Sequence, residues 1–400
     1  MVSYSVYDGD NRVRRYAETL VRNGFAVDAF AMWRVGHQSL GDVLNGVRVH
    51  RLQGRIKNEK TKLTYLWRLL AFFFRSLWMV TKENWKKPYD LIHVHSVPDF
   101  EVFAAIFAKL TGAKVILDIH DMVPEFYASK FGISKDAFVF KALVGIERVS
   151  TAFADHVIAS NHIWEERLHS RGVAPDKVTA IINYPDLNVF RPQGRTRTDD
   201  KFVLLYPGSM TYHQGLDIAI RAFAKIHTKV PNAEFHLYGS GDRLESLKQL
   251  VAELGLQEKI LFKGSLVVEK LVRVMENADL GVVPKRKDGF GNEAFSTKIP
   301  EFMAMGVPVI IPNTAIDSYY FNDSVATFFE ANSDESLAEA MLRVIQDAGL
   351  RQRQTRTAQV FVQDYSWEKN QALYLNAVSK LLKPREIKRA ELRPSSRQGD

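Results

Sequence analysis

Residues 291–308 read GNEAFSTKIPEFMAMGVP, with Glu293 and Glu301 separated by seven residues and Lys298 between them. Lys285–Asn292 before them is a polar, glycine-bearing stretch, and Val309-Ile310-Ile311 after them is strand-like. The pattern predicts a helix that starts near Ser296 or Thr297 and stops at Gly306. The first turn of such a helix offers backbone N–H groups and the positive end of a dipole, which suits an anion. Lys298 adds a full positive charge there. Glu301 lies one turn deeper, in reach of vicinal hydroxyls such as those of a ribose. Glu293 precedes the helix, about 12 Å away along the axis if the spacing were fully helical. An anion held between two hydroxyl-binding carboxylates fits a sugar, a diphosphate and a ribose in one ligand. The competing reading, two solvated glutamates and a surface lysine, sits poorly with the polar loop before them and the apolar run after them.

Other candidate chemistry is sparse. There is no cysteine, which excludes disulfides, thiolate zinc sites and cysteine nucleophiles. No carboxylate cluster suggests a metal, so neither metal nor cofactor is expected. His93 and His95 alternate on a predicted strand and are expected to face opposite sides, as structural or acceptor-side residues. His120 follows a strand end, Asp118-Ile119; its bland alternative is a local backbone bond.

The elements that must position these residues come as two strand–helix alternations. Predicted strands are Met1–Val6, Ala26–Phe30, Val47–Leu52, Leu91–Val94, Lys114–Ile119, Val157–Ser160 and Val178–Ile182 in the first half. In the second they are Phe202–Tyr206, Glu234–Tyr238, Ile260–Phe262, Leu280–Val283, Val309–Pro312 and Thr327–Phe329. Such alternation means parallel sheets covered by helices, and 400 residues are enough for two such domains. The expected division is a first domain over 1–190, a linker over 191–200, a second domain over 201–365, a helix over 366–383 that packs back on the first domain, and a basic, flexible tail over 384–400.

The net charge of +8 is uneven. Lys57–Lys87 carries eight basic residues against Glu59 and Glu83, a local excess of +6. Within it Leu63, Leu66, Trp67, Leu70, Phe74, Leu77 and Trp78 form one apolar stripe, and Arg68 and Arg75 share another side. A membrane span of 18 residues would be short and would contain both arginines. A helix lying in an anionic lipid interface through Trp67, Arg68, Phe74, Arg75 and Trp78 is favoured over one packed on its own sheet. Asp8, Asp10, Arg12, Arg14 and Arg15 near the start argue against a signal peptide, so a cytoplasmic place, peripheral on the inner face of the plasma membrane, is expected. Nucleic-acid binding is not expected, because no motif accompanies the basic residues.

Glu293-Ala-Phe-Ser-Thr-Lys-Ile-Pro-Glu301 followed by Phe-Met-Ala-Met-Gly-Val-Pro resembles the E-x7-E signature of retaining GT-B glycosyltransferases of family 4. Tyr206-Pro-Gly-Ser, Tyr238-Gly-Ser-Gly-Asp242, Phe262-Lys-Gly264 and Ala278-Asp-Leu-Gly-Val-Val-Pro284 resemble the same family in order, as do Asp90-Leu-Ile-His-Val-His95 and Asp118-Ile-His-Asp121. The resemblance implies two Rossmann-like, doubly wound domains facing a central cleft. It implies a metal-independent, retaining hexosyltransferase that uses a nucleotide-sugar donor, UDP-linked before GDP-linked, and a lipid-linked or polysaccharide acceptor of the cell envelope. By the same resemblance Glu293 contacts the donor sugar, Ala294 and backbone amides around Phe295, Ser296 and Thr297 line or hold the diphosphate, Glu301 holds the ribose and Leu266 lies near the base. His120 reaches the sugar across the cleft, and Gly9 and Gly208 allow close backbone approach. The family usually carries Arg and Lys where this chain has Ser209 and Gln214. Lys298 is expected to replace part of that charge, with Lys263, Lys285 and Arg286 as weaker candidates. A sugar-nucleotide epimerase of the same architecture, or a non-catalytic binding module with a decayed site, are the alternatives.

Overall fold

The computed structural model describes residues 1–34, 41–55 and 62–382. Lys57, Lys60 and the tail from residue 383 lie outside the described residues. The chain divides into two compact units, 1–182 with 371–400, and 183–370. Residues 183–190, expected with the first domain, therefore group with the second. The stretch expected as a linker is strapped to the second unit: Gln193 and Gly194 donate backbone N–H groups to Glu276 Oε1, and Arg195 and Arg197 pair with Asp279.

The first unit holds an eight-stranded sheet: β1 (Val2–Val6), β2 (Val27–Arg34), β3 (Gly41–Leu44), β4 (Val47–Arg55), β5 (Leu91–His95), β6 (Lys114–Ile119), β7 (His156–Ala159) and β8 (Val178–Ala180). Their spatial order is β3-β4-β2-β1-β5-β6-β7-β8, and all pairs are parallel except β3–β4. The antiparallel edge strand β3 was not expected. Its signal is Asn45-Gly46, both at positive φ (49° and 81°), the pair a two-residue hairpin turn requires.

The second unit holds six parallel strands: β9 (Phe202–Pro207), β10 (Ala233–Tyr238), β11 (Ile260–Gly264), β12 (Leu280–Val282), β13 (Val309–Pro312) and β14 (Thr327–Phe329). Their order is β11-β10-β9-β12-β13-β14. Near-continuous apolar runs make sense here, because both faces are covered. Leu204, Tyr206, Phe235, Leu237, Leu280, Val282 and Ile310 are buried against Leu216–Ile226 and Asp334–Gln346. In each unit the chain reverses its winding beside the first strand, between β1 and β5 and between β9 and β12. Ligands of such sheets bind outside the carboxyl ends of the strands at that point.

The helix Lys62–Lys86 packs on the first sheet with Leu69, Phe72, Ser76, Val80 and Asn84 buried. Its aromatic stripe faces outward, with Trp67, Phe74 and Trp78 exposed by 72%, 61% and 69%. Arg68 and Arg75, expected at a lipid interface, both bond to β4, Arg68 half-buried and Arg75 still exposed. Arg68 donates to the Gly54 carbonyl, and Arg75 reaches Leu52 O at 3.3 Å and Gln53 Oε1 at 3.1 Å. The last helix, Trp367–Leu381, spans the boundary, and its Tyr374 is buried in the first unit. No helix among the described residues is long and apolar enough to cross a membrane.

Candidate active site

In the second unit the loop after β9 and the loop after β12 flank the switch point. They form one rim. Arg286 N donates to His213 O at 2.9 Å, His213 Nδ1 lies 2.9 Å from Asp288 Oδ2, and the Arg286 guanidinium sits 4.4 Å over the Tyr212 ring and pairs with Asp217. Gly215 (φ +64°) passes so close that a Cβ there would stand 2.1 Å from Pro284 O. Asp288 also accepts from the Phe290 and Gly291 N–H groups, so it is committed to shaping the loop.

Lys285 is buried, donates to Ala294 O at 2.7 Å and pairs with Asp317 at 3.0 Å. Burial pulls its pKa down and Asp317 works against that. Lys285 therefore pins the loop, and Arg286 is held by Asp217 and Tyr212. Neither is spare for a phosphate.

Lys298 is placed differently. Its Nζ lies 3.2 Å from Gln214 Oε1 and 5.4 Å over the Tyr206 ring. Tyr206 Oη reaches the same Gln214 oxygen at 2.9 Å. A Cβ at Gly208 would stand 2.3 Å from Lys298 Cε, so Gly208 makes room for this lysine. The ammonium thus lies beside Gln214, one of the two positions where a cation was missed in the sequence. Burial pulls the Lys298 pKa down to about 8, Glu301 nearby resists, and Lys285 adds to the fall.

The helix that follows is shorter than expected. It runs Lys298–Ala304, seven residues, with Thr297 at its N-cap and no side-chain cap bond. Pro300 sits in its first turn, and Gly306 (φ +69°) follows two residues after its end. So short a helix brings little dipole, and an anion placed there would be held by local groups. Those are present: among the described residues the backbone N–H groups of Phe295, Ser296 and Thr297 have no hydrogen-bond partner, and Ser296 Oγ is buried without one. Buried donors are rarely left unpaired in a finished structure. Glu293 and Glu301 are half-buried on either side, and Ala294 lies between Glu293 and these amides with its carbonyl on Lys285. Ser209 is exposed at the mouth of the β9 loop, and Leu266 is half-buried just past β11.

In the first unit the other candidates gather at the ends of β5 and β6. His93 and His95 lie on the same face, with rings stacked 4.1 Å apart, because strand side chains repeat every two residues. The expectation of opposite faces is overturned. Asp118 is buried at their side and receives Arg12 through both oxygens, at 2.8 and 2.9 Å. His120 Nε2 lies 3.1 Å from Asp118 Oδ2 and 3.2 Å from His95 Nδ1. Tyr374 Oη lies 3.0 Å from His93 Nδ1, and Tyr16 packs against both. His93, His95 and Asp118 are of metal-ligating type and close enough to share an ion. The Arg12 fork already occupies the carboxylate, so an ion would have to displace a buried guanidinium. Burial raises the Asp118 pKa, and Arg12 and His120 more than offset it, leaving the carboxyl well below its usual range. Burial lowers His95 to about 4. Gly9 ends a short turn after β1; a Cβ there would meet only ordinary contact with Arg34 at 3.6 Å, so nothing in its own unit demands glycine.

Arg12, counted in the sequence only among the charges near the start, was not singled out as a site residue. Its signal was its place on the face Arg12, Val13, Tyr16, Ala17 and Leu20 of the helix Asn11–Arg22, which is otherwise apolar or aromatic and is buried. Tyr374 carried no signal, since its partner is 281 residues away.

Residues 190–361 match the family described as glycosyl transferases group 1, and residues 9–183 match the glycosyl transferase 4-like domain. The chain is a GT-B glycosyltransferase of the family 4 type. It is 28% identical over 368 residues to an uncharacterized glycosyltransferase of Methanocaldococcus jannaschii, covering 88% of this chain and 89% of that one. It is 25% identical to a D-inositol 3-phosphate glycosyltransferase of Nocardioides, covering 88% and 80%. Its fold is similar to that of sucrose-phosphate synthase from Thermosynechococcus elongatus, with a TM-score of 0.77 at 20% identity over 97% of this chain and 99% of that one. It is also similar to Anabaena HepE in complex with UDP-glucose, with a TM-score of 0.69 at 16% identity over 94% and 99%.

Proposed function

We propose that this glycosyltransferase moves a hexosyl group from a nucleotide-sugar, UDP-linked before GDP-linked, to a lipid-linked or glycan acceptor in cell-envelope synthesis, with retention and without a metal. The observation that carries this is Lys298 beside the partnerless Phe295–Thr297 amides and Ser296 Oγ, between two carboxylates. In this reading the diphosphate lies on those amides with its charge on Lys298. Glu301 takes ribose hydroxyls and Glu293 takes sugar hydroxyls. Leu266 lies toward the base, and Ser209 and Gln214 line the phosphate side. As the sugar–phosphate bond breaks, charge grows on the leaving diphosphate, and preorganised amides and an ammonium stabilise it without reorganisation. His120 of the first unit meets the sugar, and Gly9 allows close approach. UDP is the nucleotide in the HepE complex, which makes it the first donor class to try.

Thermal-shift titration with UDP, GDP and ADP tests the nucleotide. A nucleotide at 100 times its dissociation constant stabilises the folded chain by about 2.7 kcal/mol. A shift with at least one is expected, and none with any of them sinks the donor assignment.

A peripheral membrane role goes with the lipid-linked acceptor. Trp67, Phe74, Trp78 and Trp85 are spaced seven, four and seven residues apart, on one line of their helix, and all are exposed. Ile106, Phe107 and Leu110 are exposed on the next helix, whose end is tied to this one by Asn84 Nδ2 on Thr111 Oγ1 at 2.9 Å. Arg75, Lys82 and Lys87 supply the exposed charge beside them. Flotation with vesicles rich in phosphatidylglycerol is expected to carry the protein at low salt, and Trp67→Ser with Trp78→Ser to release it.

A further inference from the structure

We propose that Asp118, steered by Arg12 and flanked by His95, fixes the His120 imidazole in the tautomer protonated at Nε2, so that Nδ1 is presented as a hydrogen-bond acceptor for a substrate hydroxyl. The inference rests on the reading that His120 meets the sugar.

Arg12 donates Nη2 to Asp118 Oδ1 at 2.8 Å and Nε to Oδ2 at 2.9 Å, and its Nη1 goes to Ile181 O at 2.9 Å. A guanidinium held on three sides keeps the buried carboxyl ionised, and an ionised carboxyl only accepts. His120 Nε2 lies 3.1 Å from Oδ2, so the proton of a neutral ring belongs on Nε2. His95 Nδ1 lies 3.1 Å from the same oxygen and 3.2 Å from His120 Nε2, and its other nitrogen is buried and unpartnered. The ionised oxygen is the stronger acceptor, so the N–H groups of both rings converge on Oδ2 and not on each other. The His95 ring is stacked on His93, and His93 is held by Tyr374. The His120 backbone carbonyl is fixed by Ser160 Oγ at 2.8 Å.

That leaves Nδ1. Among the described residues it has no hydrogen-bond partner. The His120 side chain is 22% exposed, whereas those of His93, His95 and Asp118 are 1% or less. His120 is thus the member of the cluster that reaches the surface. Asp10, near enough for its charge to be felt, already accepts from Val13 N. A lone pair held outward by a locked ring accepts from a hydroxyl. It offers nothing to a phosphate or carbonyl oxygen, which suits sugar chemistry.

Two measurements test this. In full-length protein labelled with nitrogen-15 histidine at mildly alkaline pH, the His120 signals are those missing from His120→Gln. A protonated Nε2 and bare Nδ1 are expected; a proton on Nδ1, or an even mixture, overturns the proposal. In transfer assays, Asn at 120 places its amide oxygen near the position of Nδ1, whereas Gln imitates Nε2. His120→Asn is expected to retain kcat/KM within about tenfold and His120→Gln to lose about a hundredfold. The reverse order would make Nε2 the working atom and refute the assignment. If the wild type transfers from no nucleotide-sugar, the donor reading fails on its own, and the spectrum still decides the tautomer.

Discussion

Lys298 is where chemistry and stability pull apart. A lysine whose pKa falls from 10.5 to about 8 is a charge the fold would rather not hold. Between those two values the unfolded chain binds more protons than the native one, so stability rises with pH across that window, and below it the cost is present in full. Lys298→Met is therefore expected to raise stability at neutral pH by roughly 1 to 3 kcal/mol in urea unfolding, while nucleotide affinity falls at least about tenfold. Equal loss of both would make Lys298 a structural residue. The affinity of the wild type for UDP is expected to weaken as pH rises through about 8, where the ammonium discharges, and Lys298→Met to lack that step in calorimetric titration. Gln214→Lys in the Lys298→Met background is expected to recover part of the affinity, because the new ammonium reaches the space beside which Lys298 now lies. The missing cations were legible from Ser209 and Gln214. That Gly208 clears the path for Lys298 was not, since positions 208 and 298 meet only through packing.

At the scale of elements, the helix Lys62–Lys86 separates its duties by face. Phe72 is fully buried against the first sheet, and Tyr4 meets its ring edge at 5.2 Å. Phe72→Ala is expected to cost about 3–5 kcal/mol by denaturant unfolding. Trp78→Ser, on the outer face, is expected to change stability by less than about 0.5 kcal/mol and to reduce vesicle flotation. If Trp78→Ser unfolds the protein as Phe72→Ala does, the outer stripe is core and not a docking face. The stripe itself could be read from residue spacing. The arginines could not, because their partners are carbonyls of β4. Strands were legible for the reason that β-branched runs alternate with helical spacing. Short elements were not: β3 has four residues, and the helix after Thr297 has seven.

At the scale of the molecule, two parallel sheets each reverse beside their first strand, and each candidate cluster stands at that reversal: Lys298 and its amides in the second unit, and Arg12, Asp118 and His120 in the first. The doubly wound class could be read from the alternation of elements. The His–Asp–Arg cluster could not, since it joins residues from one helix, two strands and the loop after β6, and the two-residue period of β5 had to be applied correctly to His93 and His95. Of the basic residues over Lys57–Lys87, Lys82, Lys86 and Lys87 are exposed at one end of the helix Lys62–Lys86; a lipid-facing role for them predicts vesicle binding that falls with added salt, as screening requires. The grip on the diphosphate is open to direct sight in a crystal grown with UDP or UDP-glucose. Density for the diphosphate on the N–H groups of Phe295–Thr297, within hydrogen-bond reach of Lys298 Nζ and with the ribose on Glu301, is the expected result. Nucleotide bound elsewhere, with those amides turned away from it or closed off, would contradict it.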